Sequence, residues 1–215
     1  MRKIQHQVMV LFMLLTAFSA STFAAKYTEG KQYTKVSETV SNKAEVREYF
    51  SFYCPHCFRF EPFMEDVKKN LPEGVSFERN HVDFLRAASP KVQAILTKSV
   101  VVAEQLGMDK KLIGAVFKYI HVQRAVITSE KDVRNIFVLN GADGAKFDKL
   151  MKSFSVNSKA KLMKKHQNTM SQKRAITGVP AVIVNGKYRI NNQELDKNNF
   201  EQDYQNLVTY LLSLK

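Results

Sequence analysis

The run EVREYFSFY at residues 45–53 passes without a break into CPHC, and this junction restricts the fold more than any other stretch of the chain. Its first nine residues are rich in aromatic and apolar side chains and read as a central strand. From Cys54 onward the period changes to that of a helix. Phe58, Phe63 and Val67 share an inner face, Lys68 and Lys69 come at the end, and Leu71-Pro72 lies beyond. Pro55 suits the first turn, where N–H groups have no intrahelical partner in any case. Pro62 sits in the interior, so a bend is expected near it. A sheet strand must therefore hand over directly to a helix whose first turn carries Cys54 and Cys57, the chain's 2 cysteines.

Beyond this helix, Pro72-Glu73-Gly74 is a turn and VSFERNHVDF, residues 75–84, is a second strand candidate. Residues 87–167 read as helical almost throughout. KVQAILTKSVVVAEQLG, KKLIGAVFKYIHVQ, EKDVRNIFVLNG and AKFDKLMKSF place apolar residues three and four apart, with Gly107, Gly141 and Gly144 as punctuation. A further helix, SKAKLMKKHQNTMSQKRAI, leads into TGVPAVIVNGKYRI, where Asn185-Gly186 between two apolar runs is a strong two-residue hairpin signal. NNFEQDYQNLVTYLLSLK closes the chain as an amphipathic helix. The order of elements describes a split α/β unit interrupted by a helical insertion. No period of solenoid length repeats.

A chain of 215 residues with 45% hydrophobic content and 8 glycines has enough apolar material for a core. Its first residues are expected to be removed. Arg2 and Lys3 precede an apolar run from Val8 to Phe18, and Thr22-Phe23-Ala24 offers small residues at a cleavage site. The run is too short to span a bilayer, which takes about 20 residues. Residues 1–24 therefore read as a cleavable secretory signal and the mature protein as soluble and exported. Loss of Arg2 and Lys3 takes the formal charge from +13 to +11. The lysines are dispersed in pairs with no aromatic-interleaved cluster, a pattern of a solvated basic surface rather than of a nucleic-acid site.

Export changes the reading of the cysteines, because outside the cytosol paired thiols tend to be oxidised. The loop closed by a C-x-x-C is too short to stabilise a domain of this size. Structural zinc needs four ligands, and His81, His121 and His166 are isolated from the pair. Covalent haem attachment needs C-x-x-C-H, whereas residue 58 is Phe. Reactivity remains. A cysteine at a helix start meets unpaired N–H groups and the positive end of the dipole, both of which favour thiolate. Cys54 is expected to be the exposed, acidic member and Cys57 the inward one, with His56 adding charge or a hydrogen bond. Thiolate stabilisation favours the dithiol and makes the disulfide an oxidant. No cofactor beyond this redox-active pair and no metal is expected.

Two further positions invite a role. Alternation puts Val46, Glu48, Phe50 and Phe52 on one side of the strand, so Glu48 is either a buried acid with a raised pKa, able to relay protons, or an acid reaching solvent at a sheet edge. Val179-Pro180 leads into a strand although Pro cannot donate a ladder bond. It is either a turn or a cis bond beside the cysteines that leaves Val179's backbone to pair with an extended peptide.

Taken together, the signal segment, KYTEGKQYT, EYFSFYCPHC, KKNLPEGVSFERNHVDF, TGVPAVIVNGKY and the closing helix make the chain resemble the DsbA family of periplasmic thiol oxidants over essentially its whole length. The resemblance implies an α/β fold, a thioredoxin fold interrupted by an all-helical insertion. Its parts would be residues 25–86 and 168–215, with the insertion at 87–167 capping the active site. It implies that Cys54 is the nucleophile, that Cys57 is the buried partner, and that Pro55 and His56 tune the pair. Val179-Pro180 would be the cis-proline loop that docks substrate. Glu48 would be the acid beneath the disulfide, with Arg79 as its charge partner in place of the family's usual Lys; Arg does not readily lose its proton. Implied partners are unfolded exported proteins and, for reoxidation, a DsbB-type membrane quinone reductase; the protein is expected to be monomeric. Rival readings are a disulfide isomerase or reductase of the same superfamily, or a non-catalytic redox or metal latch. Isomerases of the superfamily carry an added N-terminal dimerisation domain, for which the roughly 20 residues before the first long strand leave no room.

Overall fold

The computed structural model describes residues 26–214, so the signal segment lies outside the described residues. Strand β2, Glu45–Phe50, is the axis of the molecule. The order β1-β5-β4-β2-β3 puts it inside a five-stranded sheet, parallel to β3 (Ser76–His81) and antiparallel to β4 (Ala181–Val184). β4 turns through Asn185-Gly186 into β5, Tyr188–Ile190. Both turn residues have positive φ, 52° and 63°, as a two-residue hairpin of the favoured hand requires. The sheet's outer strand β1, Tyr33–Lys35, pairs with β5 and was not foreseen. Three residues are too few to show an alternating pattern.

Helix α1, Pro55–Lys69, follows β2 after a four-residue turn and continues through Pro62 as one element. Its buried row is Cys57, Glu61, Met64 and Val67, whereas Phe58 and Phe63 are only half-buried. With α7, Phe200–Ser213, it covers one face of the sheet, packing Met64, Val67, Tyr204 and Leu207 on Val46, Val182 and Val184.

The insertion comprises α2 (Pro90–Gln105), α3 (Asp109–His121), α4 (Glu130–Leu139), α5 (Gly144–Lys152) and α6 (Phe154–Gln172). α2 is its hub. The run Ser99–Ala103 is buried on every side, so this helix behaves as core rather than as an amphipathic surface element. α6 continues past position 167 to Gln172 and packs Met170 beneath Tyr49 and Ile183 on the second sheet face. The boundary expected at 167 thus falls inside one helix. An amphipathic pattern cannot reveal that a single helix serves two cores. Phe50 and Phe52 join the insertion core directly, against Phe117 of α3. The cysteines therefore sit where the sheet, α1 and the insertion meet.

Candidate active site

Residues 51–54 turn the chain from strand to helix, and side chains fix this turn as firmly as backbone does. Ser51 Oγ accepts from Tyr53 N at 3.2 Å and Ser51 O from Cys54 N at 3.0 Å, while His121 Nε2 lies 2.8 Å from Phe52 O and donates to it. Cys54 is thereby placed as the N-cap of α1 in extended conformation, φ −94° and ψ 112°, with Pro55 in the first helical turn. An N-cap side chain ordinarily accepts a hydrogen bond from the first turn. Here the acceptor is sulfur: Cys57 N donates to Cys54 Sγ at 3.1 Å.

The two thiols are unbonded and differ in environment. Cys54 is 4% exposed and Cys57 1%. Cys54 is the more accessible of the two but not the exposed residue expected, because the loop before β4 closes over it and the Val179 carbonyl accepts from its Sγ at 3.3 Å. The hydrogen bond with the Cys57 side chain does most to acidify Cys54. The backbone amides of Cys57 and His56 and the charge of Arg59 add to it, and against burial they bring the thiol down to about 7. Burial, then the neighbouring Cys54, push the Cys57 thiol well up.

Val179-Pro180 is a cis peptide, and both residues are half-buried beside the sulfurs. Phe58 and Tyr53 complete an apolar border, with Phe58 stacked on His121 at 5.2 Å and 8°.

Glu48 lies in β2 under this site and is 1% exposed, so the solvent-reaching alternative is excluded. Burial raises its carboxyl to about 8. Arg79 opposes that rise, and Glu61, Glu65 and Cys54 reinforce it. Arg79 is register-paired with Glu48 across β2 and β3 but makes its hydrogen bonds elsewhere. Its Nη1 reaches Glu61 at 2.9 and 2.8 Å, and Nη2 bonds Glu65. Burial works against the guanidinium charge, but Glu61, Glu48 and Glu65 outweigh it and its pKa is raised. The expected Glu48–Arg79 pair is thus a through-space interaction, while the direct partners are two acids one turn apart on α1. Glu61 was legible as an acid on the buried row set by Cys57 and Met64, had that row been chosen as the inner face.

His56 departs from expectation. Its ring is exposed and meets Arg59 rather than sulfur, with Nδ1 2.8 Å from Arg59 Nη2. Its contribution to Cys54 comes from its backbone amide. Among the described residues no group of three or more His, Cys, Asp or Glu side chains is arranged to hold a metal.

An acidic thiol capping a helix, a buried thiol one turn on, and a central strand feeding both make this a thiol:disulfide oxidoreductase of thioredoxin fold, with a helical insertion beside the site. Residues 45–205 match the family model described as the DSBA-like thioredoxin domain, and the chain belongs to that family. The thiol:disulfide interchange protein DsbA of Escherichia coli strain K12 is 38% identical over 208 residues, covering 94% of this chain and 95% of that protein. The protein of the same name from Yersinia pestis is 36% identical over the same coverage. The crystal structure of the disulfide oxidoreductase DsbA from Proteus mirabilis superposes with a TM-score of 0.75 at 35% identity, over 89% of this chain and all of that one. A second Proteus mirabilis DsbA structure, with a TM-score of 0.74, holds a non-covalently bound peptide, PWATCDS.

Proposed function

We propose that the protein is a periplasmic dithiol oxidase, which donates the Cys54–Cys57 disulfide to unfolded proteins newly exported across the inner membrane. The observation that carries this reading is the asymmetry of the pair: Cys54 is acidified to about 7 at the helix cap while Cys57 is buried and raised. A stabilised Cys54 thiolate favours the dithiol and so makes the disulfide more oxidising than an unperturbed pair would be.

In the forward direction a substrate thiolate attacks Cys54 Sγ. A mixed disulfide forms, the Cys54–Cys57 bond breaks, and Cys57 leaves as a thiolate that must take up a proton. Glu48, a neutral carboxyl at pH 7 with its pKa near 8, is suited to supply that proton from beneath. A second substrate thiolate then attacks the substrate's own sulfur and expels Cys54, which leaves readily because it is acidic. The products are a substrate disulfide and the dithiol. The half-buried Val179-Pro180 loop and the apolar border of Phe58 and Tyr53 suit an extended peptide of no fixed sequence, and the Proteus mirabilis relative is itself a peptide binder. A DsbB-type membrane quinone reductase would restore the disulfide.

The test is the equilibrium of the mature protein with glutathione, together with trapping by a cysteine-containing peptide supplied as its mixed disulfide with glutathione, which leaves as the thiol. Ready reduction by glutathione, with Cys57→Ser accumulating a peptide adduct at Cys54 and Cys54→Ser accumulating none, is the expected result. A reducing couple with a near-normal Cys54 would make the protein a reductase or isomerase instead.

A further inference from the structure

His121 closes α3 one turn after Phe117, so the two rings share a face of that helix. His121 stands against both flanks of the cysteine motif. Its Nε2 is 2.8 Å from the carbonyl oxygen of Phe52, two residues before Cys54. Its ring lies flat on Phe58, the residue after Cys57, at 5.2 Å and 8°. A carbonyl oxygen only accepts, so Nε2 carries the proton, as it does in one neutral tautomer and in imidazolium alike. Among the described residues this is the one hydrogen bond from the insertion to residues 51–60.

The Phe52 carbonyl shares a peptide plane with the Tyr53 amide. At the other end of that plane, Tyr53 N donates to Ser51 Oγ at 3.2 Å. Neither group has a backbone partner among the described residues. Phe52 is fully buried, so its carbonyl needs a protein donor. The backbone bond of this turn bypasses the plane, running from Cys54 N to Ser51 O at 3.0 Å. The peptide plane next to that of Cys54 is therefore oriented by two side chains, and one of them comes from the insertion.

We propose that His121 is a positioning residue of the redox site: by holding the Phe52 carbonyl it fixes the plane that presents Cys54 as the helix cap, and it thereby makes the oxidising power of the pair depend on the helical insertion. This role rests on the reading of the pair as a disulfide donor and deepens it. In the disulfide, the S–S bond itself ties Cys54 to Cys57. In the dithiol, Cys54 Sγ keeps its bond from Cys57 N while the turn holds the cap geometry, φ −94° and ψ 112°. Loosening the plane therefore penalises the dithiol more than the disulfide, and the couple becomes less oxidising.

The experiment measures the glutathione equilibrium constant and the Cys54 thiolate absorbance against pH, with urea unfolding alongside, for the wild type, His121→Phe, His121→Gln, Ser51→Ala and Phe147→Leu. His121→Phe keeps an aromatic ring on Phe58 and removes the donor. It is expected to shift the equilibrium about three- to tenfold toward the disulfide form and to raise the Cys54 midpoint, on the scale of a lost helix cap. Ser51→Ala frees the other end of the plane and shifts both quantities the same way. His121→Gln restores a side-chain N–H donor and stays within about twofold of the wild type. Phe147→Leu opens space between α4 and α5, where Phe147 meets Phe137 at 5.3 Å; it lowers the urea midpoint and leaves both redox quantities in place.

His121→Phe matching the wild type in both redox quantities overturns the proposal; should that variant not fold, Ser51→Ala carries the same test from the other end of the plane. His121→Gln behaving like His121→Phe overturns it too, by giving the effect to the ring rather than to the bond. So does Phe147→Leu shifting the equilibrium as far, which would make the shift a matter of general stability. A wild type with a reducing couple and a near-normal thiol defeats the donor reading itself, whereas an oxidising wild type indifferent to residues 51 and 121 defeats this inference alone.

Discussion

At the level of single residues, burial outweighs the nearest opposite charge at Glu48. Arg79 faces it across the sheet and still does not keep it ionised. Arg79 is already committed to Glu61 and Glu65, two acids at i and i+4 on α1: Nη1 bonds both oxygens of Glu61 and Nη2 bonds Glu65. The native protein holds the Glu48 proton up to about pH 8, while the unfolded chain loses it above its ordinary value of 4.5. Stability linked to that proton is thus intact below about pH 4.5 and drains away as the pH rises through 8. Glu48→Gln removes the titration. In urea unfolding it should leave stability nearly unchanged at pH 5 and raise it by a few kcal/mol at pH 8.5, on the scale of about 1.4 kcal/mol per pKa unit. Equal stability of the two proteins at pH 8.5 would mean that Glu48 is ionised in the native state.

Among the elements, those with strong periodicity were legible and those defined by partners were not. The handover from β2 to α1, the five helices of the insertion, the Asn185-Gly186 hairpin and α7 all follow from period and turn chemistry. β1 escaped notice because three residues acquire strand character only through pairing with β5. The helix through residues 158–176 was read from its pattern, but that its last turns pack on the sheet is a fact outside its own sequence. At the active site the cysteines, Glu48 and the Val179-Pro180 loop were readable, whereas the Glu61–Arg79–Glu65 cluster and the Arg59–His56 contact depend on which helix face turns inward. Gly114 is a test of the same logic. It sits in the middle of α3, and a Cβ built there meets nothing within 4 Å. Neither packing nor backbone conformation requires glycine at this position, so the helix is weaker than it needs to be. Gly114→Ala is expected to stabilise the protein by about 0.8–1 kcal/mol, read as a rise in urea midpoint at constant slope. A fall in midpoint would reveal that something closes over this face.

The molecule as a whole is joined at the level of His81, the last residue of β3. Its Nδ1 meets Thr97 Oγ1 on α2 at 2.9 Å, and Thr97 in turn donates to Gln93 O at 3.0 Å, so His81 Nδ1 carries the proton and Nε2 is left bare in the core. The ring also packs on Phe50 and Phe52, which links sheet, insertion and active-site turn through one side chain. Burial pushes its pKa from 6.5 down to about 3. The native state therefore keeps His81 neutral where the unfolded chain protonates, and the stability it contributes is present above about pH 6.5 and lost as the pH falls toward 3. Glu48 acts in the opposite sense from 4.5 to 8. Between about pH 4.5 and 6.5 the two slopes cancel; below that window His81 dominates, and above it Glu48 does. Stability measured by urea unfolding should thus show a plateau with a falling flank on each side, each sloping at up to about 1.4 kcal/mol per pH unit. His81→Gln should lower stability through lost packing, flatten the acid flank, and turn the former plateau into part of the alkaline fall, which then begins near pH 4.5 rather than 6.5. An acid flank as steep in His81→Gln as in the wild type would assign acid unfolding to the surface carboxylates and remove His81 as the junction between sheet and insertion.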